Sequence, residues 1–431
     1  MKSDNWATIG EVAEVFDGPH ATPKKIDEGP YFLSISSLDN GKLDLSKSAH
    51  LSEEQYIKWT KRVTPQEGDL LFSYETRLGE AALMPPNIKS CLGRRMGLLR
   101  LDRKKVIPKY LLYVYLSPEF QSTIEQRKVH GCTVDRISLT ELPSFPIRLP
   151  PLPEQKNIAH ILGSLDDKIE LNRRMNATLE GMAQALFQSW FVDFDPVLDN
   201  ALAAGNPIPD ELADRAAVRR QALANGTANR AAAKPFPAAF HLSEEMGWIP
   251  EGWEALKLSD LLEVKYGKDH KKLDAGTVPV YGSGGLMRHA NESLYMGESV
   301  LIPRKGTLNN ILYLNEEFWT VDTMFYTIPK RNNVAKYTFH LLKKLDFTSM
   351  NVGSAVPSMT TKVLNALPVL LPDESALQKF DSILTSYISK NEANNSQSMS
   401  LSKLRDTLLP KLISGELRID DAEKLAEEAL A

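Results

Sequence analysis

Along residues 154–194 the apolar positions recur alternately every four and three residues. Ile158, Leu165, Leu179 and Leu186 take one seam position of a heptad, and Leu162, Ile169, Ala183 and Trp190 take the other. That is the pattern of a long helix with one apolar stripe. Pro153 suits a first helical turn and Glu154 the positive end of its dipole, so the spacing predicts a helix from Glu154 to Phe194. A second series, Phe380, Tyr387, Leu401 and Leu408 with Leu384, predicts another long helix near the end of the chain. Polar notches interrupt both stripes, Asn172 with Asn176 in the first and Asn394 in the second. An asparagine in a seam costs stability and is best known for fixing register and partner. The matched notches therefore predict that the two helices form an antiparallel pair with each other.

Elsewhere the pattern is shorter. Leu70–Phe72, Met96–Leu101 and Ser299–Ile302 read as strands, and Lys109–Val129 reads as a helix. Residues 199–240 are rich in Ala, Asn, Gly and Pro, with a short helix expected over Asp210–Ala224 before the breaks at Asn225-Gly226 and Lys234-Pro-Phe-Pro237.

The chain also repeats itself. Residues 131–190 laid over 353–412 give fourteen identities without a gap, among them Gly131/Gly353, Leu149-Pro150/Leu371-Pro372, Ile161-Leu162/Ile383-Leu384 and Asn172/Asn394. Upstream the match is looser, and Arg77-Leu-Gly79 aligns with Arg304-Lys-Gly306. A fixed-offset repeat means two copies of one structural unit. The fold expected is α+β: two pseudo-repeated mixed α/β domains separated by two long antiparallel coiled-coil helices. The boundaries are a first domain at 1–150, a central helix at 151–198, a connector at 199–247, a second domain at 248–370, a distal helix at 371–415 and an acidic tail at 416–431.

Composition narrows the class. At 431 residues, 42% hydrophobic and 25% charged, the chain has the proportions of a soluble globular protein. No apolar run is long enough for a spanning helix and the first residues lack a signal-peptide core, so no membrane association and a cytoplasmic location are expected. Two cysteines, Cys91 and Cys132, make neither a disulfide framework nor a CxxC clip, and both read as core or strand residues. The net charge of −4 conceals an uneven distribution. Residues 77–136 hold twelve Lys/Arg against five Asp/Glu, whereas residues 416–431 hold six acidic residues against two basic. The first segment suits a polyanion.

Bond-making chemistry is not in evidence. The chain has no Asn/Asp-Pro-Pro-aromatic loop for methylating adenine, no GxxxxGK[ST] phosphate loop and no HExxH or His/Cys cluster. Tyr281-Gly-Ser-Gly-Gly285 lacks the spacing of a dinucleotide cradle, and Glu154-Gln-Lys156 imitates only part of a nuclease motif. The reading is a non-enzymatic chain without cofactor or metal.

Five strings then carry a resemblance: Leu149-Pro-Pro-Leu-Pro-Glu-Gln-Lys156, Ile158-Ala-His-Ile-Leu-Gly-Ser-Leu-Asp-Asp-Lys-Ile169, Gln188-Ser-Trp-Phe-Val-Asp-Phe-Asp-Pro196, Gly247-Trp-Ile-Pro-Glu-Gly-Trp253 and Leu408-Leu-Pro-Lys-Leu-Ile-Ser-Gly-Glu-Leu417. With them the sequence resembles the specificity subunits of Type I restriction-modification systems. The resemblance implies two target-recognition domains, each reading half of a split, asymmetric site on double-stranded DNA. It also implies two modification (methyltransferase) subunits and restriction (translocase/nuclease) subunits as partners, with S-adenosylmethionine, ATP and Mg held by those partners. Two rivals are a coiled-coil adaptor with protein-binding ends and a single-chain restriction-modification enzyme, the latter opposed by the missing methyl-transfer motif. On this reading Arg77 and Gly79, and Arg304, Lys305, Gly306 and Asn309, lie on turns where Gly allows close backbone approach and Arg or Asn reads base edges. Arg94, Arg95, Arg127, Lys128, Arg136, Lys271, Lys272 and Arg288 are expected to hold phosphates.

Overall fold

The computed structural model describes residues 5–130, 134–350 and 358–430. In chain order the elements that matter are as follows. The first half contains strands β1 (Trp6–Thr8), β2 (Ala13–Asp17), β3 (Ile26–Phe32), β4 (Leu70–Ser73), β5 (Ala81–Leu83), β6 (Ser90–Cys91) and β7 (Met96–Leu101), helices α1 (Pro108–Leu116) and α2 (Pro118–Arg127), strand β8 (Pro146–Arg148) and the long helix α3 (Leu152–Phe191). The connector carries α4 (Asp195–Ala204) and α5 (Ala213–Ala224). The second half contains β9 (Glu254–Lys257), β10 (Leu262–Tyr266), β11 (Val278–Gly282), β12 (Gly285–Ala290), β13 (Tyr295–Pro303), β14 (Leu312–Thr320), β15 (Met324–Pro329), α6 (Val334–Lys343), β16 (Pro368–Leu371) and the long helix α7 (Glu374–Ser414). Helix α8 (Ile419–Leu430) follows.

These elements form two compact units. One comprises Met1–Arg174 with Asn394–Ala431, the other Met175–Ala393. Each is built around an antiparallel ladder, ordered β2-β7-β4-β5 in the first and β10-β15-β13-β14-β11-β12 in the second, where β11 and β14 run parallel. In both, the strand entering the domain pairs antiparallel with the strand leaving it. Trp6 faces Arg148 across β1/β8, and Glu254 faces Leu371 across β9/β16. The repeat seen in the sequence is thus a repeat of topology.

The long helices are each used by both units. In the first unit Ile158, Leu162, Leu165, Leu401 and Leu408 are buried in one core with Ile9, Leu70 and Phe145, and Ile169 packs against it. In the second, Ala183, Trp190, Phe380 and Leu384 are buried with Trp253 and Tyr337, while Leu186 and Tyr387 cover that core. Leu179 is half-buried. The antiparallel sense is fixed by Asp166 facing Arg405 at 2.7 Å and by the Asn172 amide donating to the Asn394 carbonyl at 3.3 Å. The Asn172 amide also meets Gln397 Oε1 at 3.0 Å and Ser398 Oγ at 3.3 Å, so this buried polar group is satisfied.

Three expectations need correction. Residues 109–129 are two helices, not one. Pro118 has no N–H to continue α1, and the Ser117 hydroxyl closes one helix on the Val114 carbonyl (2.7 Å) while accepting from Phe120 N (3.4 Å) to open the next. The central helix stops at Phe191, and Phe194 takes a left-handed conformation (φ 53°) before α4. The connector carries the short helix expected there, α5, and ion pairs hold it. Asp195 and Asp199 are buried and receive paired bonds from Arg215 (2.6 and 2.6 Å) and Arg219 (2.8 and 2.5 Å), bidentate contacts that a buried carboxylate requires. Its last part, Phe240–Ser243, pairs with Gly247–Pro250 as a hairpin. Finally, the segment read as an acidic tail holds α8, whose Ala422 and Ala426 are buried in the first core.

Gln155, part of the nuclease-like string, is a clamp. Its side chain is buried, accepts from Ile107 N (2.9 Å) and donates to the carbonyls of Lys105 (3.0 Å) and Pro150 (2.8 Å). Cys91 is buried as expected, and burial pushes its thiol up to about 12. Cys132 and the Gly131 and Gly353 turns lie outside the described residues. Among the described residues no helix is long and apolar enough to cross a membrane.

Candidate nucleic-acid interface

One end of each sheet carries the residues expected to meet DNA, and backbone hydrogen bonds show how the two ends correspond. In the first unit Asp17 pairs with Gly97, and in the second Tyr266 pairs with Phe325. Gly18 N donates to Met96 O, and Gly267 N to Met324 O, at 3.0 and 3.1 Å. Both glycines are needed for the same reason: a Cβ on Gly18 would collide with Gly93 O, and one on Gly267 with Val321 O. Tyr74 N donates to Arg95 O, as Arg304 N does to Thr323 O. Ile137 N donates to Tyr74 O, as Met359 N does to Arg304 O. The bridge between Glu75 and Arg136 is repeated by Lys305 and Ser358.

Asp17, Tyr74, Glu75, Arg95 and Arg136 of the first unit therefore occupy the backbone places of Tyr266, Arg304, Lys305, Thr323 and Ser358 of the second. This corrects the sequence alignment of Arg77 with Arg304. Arg304 stands where Tyr74 does, three residues earlier, because register is set by the strand ends and not by the coincidence of Arg and Gly in the turn.

The side chains on this shared frame differ. In the first unit Asp17 pairs with Arg62 and, at 3.3 Å, with His20. Arg95 lies 2.8 Å from Glu75 Oε2 through Nε and donates to Thr76 Oγ1 at 2.8 Å through Nη1. Arg94 and Arg136 are exposed beside them. Arg77 is committed within the protein, to Ile35 O (3.0 Å) and Glu80 (3.0 Å). Gly79 is buried at φ +84°, a backbone conformation that calls for glycine, and a Cβ there would also displace the Gln121 amide. Arg127 lies over the Phe145 ring and bonds Ser144, and Lys128 is held by Glu125 and Asp135, whose hydrogen bonds raise its pKa.

In the second unit the Arg304 guanidinium lies 5.2 Å over the Tyr266 ring and donates to Asp322 O at 3.1 Å. Lys305 and Gly306 are exposed next to it. Lys271 and Lys272 are exposed on a loop that three contacts pin: Trp319 Nε1 to Lys268 O (3.0 Å), and Arg288 Nη2 to the carbonyls of Leu273 (3.0 Å) and His270. Arg288 thus shapes the lysine loop. Asn309 accepts from Phe347 N at 3.1 Å and holds a neighbouring segment. Asn310, unremarked in the sequence, ties the turn to the β11–β12 hairpin through Ser283 O at 2.9 Å. Leu286 and Met287 of that hairpin are exposed.

The structure gathers Arg94, Arg95 and Arg136 at one sheet end, and Arg304 and Lys305 at the other. Arg77, Lys128 and Arg288 it ties to neighbouring groups, while Arg127 and Asn309 stay exposed, bonded to Ser144 and to Phe347 N respectively. Sequence reasoning missed Asp17, Glu75, Thr76, Tyr266 and Thr323, since a search for positive charge passes over acidic, hydroxyl and aromatic groups. The only signal was the glycine after β2 and after β10, Gly18 and Gly267.

Behind each sheet end the domain is anchored to a long helix by different chemistry. In the first unit Tyr113 donates to Asp166 at 2.7 Å beside Arg405. In the second, buried Lys336 bridges Glu298 (2.6 Å) and Asp381 (2.8 Å), and Tyr313 also donates to Glu298 (2.6 Å). Burial pushes Glu298 up, but the bonds from Lys336 and Tyr313 outweigh it and hold the carboxyl below its ordinary range.

The profile of the Type I restriction modification DNA specificity domain matches residues 3–181 and again 250–401. The chain belongs to this family, with two copies of its domain. The Type I restriction enzyme HindI specificity subunit of Haemophilus influenzae is 26% identical over 360 residues, spanning 72% of this chain and 78% of that protein. The MjaIX specificity subunit of Methanocaldococcus jannaschii is 24% identical over 434 residues, spanning 94% and 88%. The fold is also that of the Type I restriction-modification S subunit from M. genitalium, with a TM-score of 0.57 at 18% identity over 96% of this chain and 97% of that one.

Proposed function

We propose that this chain is the DNA-reading subunit of a Type I restriction-modification complex. It recognises a bipartite, asymmetric site with two domains and performs no methylation or cleavage itself. One observation carries the reading: the family's DNA specificity domain occurs twice, on two sheet ends with the same backbone frame and different polar side chains. One frame with two chemistries is what an asymmetric split site calls for, since base edges are distinguished by the donors and acceptors set against them. The exposed Arg94, Arg136, Lys271, Lys272 and Lys305 supply phosphate affinity. The partners are two modification subunits and restriction subunits, which hold S-adenosylmethionine, ATP and Mg.

The test is reconstitution with the modification subunits and mapping of methylated bases in a random-sequence library. The expected result is one split motif whose halves differ, with no methyl transfer by this chain alone. Methylation without sequence preference, or by the isolated chain, would overturn the proposal.

A further inference from the structure

We infer that Arg95 is the guanine-reading side chain of the first unit and that Glu75 and Thr76 are its positioning residues. The inference rests on the functional reading above and goes beyond it by assigning a specificity determinant.

The guanidinium is set in place before any ligand arrives. Nε lies 2.8 Å from Glu75 Oε2 and Nη1 donates to Thr76 Oγ1 at 2.8 Å, with 31% of the side chain exposed. These contacts leave Nη2 and the second hydrogen of Nη1 uncommitted, a pair of donors on a side chain that is partly exposed. A planar fork of two N–H groups matches O6 and N7 on the major-groove edge of guanine. A side chain already fixed by two neighbours loses little freedom on binding.

The turn is costly to hold. Thr76 (φ 73°) and Arg95 (φ 71°) both adopt the left-handed conformation, which is a genuine outlier for a β-branched residue. Such strain persists where surrounding structure enforces it, and it concentrates at functional sites. Here the Glu75 carbonyl accepts from Ser73 Oγ (2.8 Å) and Arg77 N (2.9 Å), which fixes the turn on both sides.

The second unit shows that the fold does not need this arrangement. It makes the same backbone bonds with Lys305 and Thr323 in the places of Glu75 and Arg95; Thr323 is not left-handed, and the left-handed place of Thr76 is filled by Gly306 (φ 86°), which holds the same turn without strain. The ion pair, the threonine in the left-handed turn and the left-handed Arg95 are therefore additions to a frame that stands without them. Arg94 and Arg136, exposed alongside, provide the nonspecific charge that would bring a duplex to the fork.

The experiment uses the complex with modification subunits and the half-sites defined by wild-type methylation. Arg95→Lys keeps charge and removes the fork; Arg95→Asn suits the left-handed backbone and removes both; Glu75→Gln keeps shape and removes the counter-charge. Arg95→Lys is expected to relax selectivity at one G·C pair in one half-site by roughly five- to hundredfold, leaving the other half unchanged. Glu75→Gln should relax the same pair. Placing 7-deazaguanine there should weaken wild-type binding and leave the Arg95→Lys complex indifferent. Unchanged selectivity in Arg95→Lys, together with sequence-independent weakening and a shallower salt dependence in Arg95→Asn, would make Arg95 a phosphate contact and overturn the inference. Unfolding midpoints of the variants separate loss of fold from loss of reading. A wild-type complex without sequence preference would overturn the functional reading itself.

Discussion

His340 shows how strongly a single residue can be set by its neighbours. It is buried against Phe187, Phe339 and Phe380, with ring centroids 5.9, 5.0 and 5.9 Å away. Burial, helped by Lys343 and opposed by Glu180, lowers its pKa from 6.5 to about 4. Between those values the unfolded chain takes up a proton that the native one refuses. Stability contributed by the neutral ring is complete above pH 6.5 and is lost as pH falls toward 4, by roughly 3 kcal/mol at most. Urea midpoints of the His340→Gln variant should fall less between pH 7 and 4.5 than those of the wild type; parallel losses would assign the acid sensitivity elsewhere. On the sheet end of the same unit, Arg304→Ala should weaken binding by about 1 to 3 kcal/mol and relax only one half-site, read from competition with variant duplexes. Its position was visible in the sequence, but the Tyr266 ring beneath it was not, because β10 and β13 are distant in the chain and meet only through the sheet.

At the scale of elements, the long helices and their polar notches were legible because a heptad is a local pattern. The break at Ser117-Pro118 was legible too, and the run from Lys109 to Val129 was misread by weighing length over the missing proline N–H. The buried salt bridges that fold the connector could not be read, since the two arginines lie twenty residues beyond their carboxylates. Asn172→Ala should cost roughly 1 to 3 kcal/mol, because Gln397 Oε1 would lose its donor in a half-buried site. Chemical denaturation of the purified chain checks this. Helix α3 runs 40 residues, on the order of 60 Å at 1.5 Å per residue. Inserting four residues near Asn176 adds about 6 Å and about 400° of turn, so that a domain keeps nearly its original face. Methylation mapping of the mutant should show unchanged half-sites and an unread spacer longer by one or two base pairs. An unchanged spacer in an active complex would mean that the helix does not set the distance.

For the molecule as a whole, the repeat predicts independent readers. Replacing residues 248–370 with those of a relative should alter one half-site in the methylated sequence and preserve the other; altered halves on both sides would refute independence. The two-fold plan was legible from the fixed offset, while the frame that relates the two sheet ends emerged only from their hydrogen bonds. The division of the chain also orders its synthesis. Residues 175–393 form a unit from one continuous stretch, but the unit that begins the chain also takes Leu401, Leu408, Leu412 and Ile413 into its core. A ribosome can release the middle of the polypeptide to fold at once, whereas the part translated first must wait for the part translated last. Its longest-range contacts close at the end, which makes it the slower unit to mature and the one that a premature stop codon after residue 393 would disable.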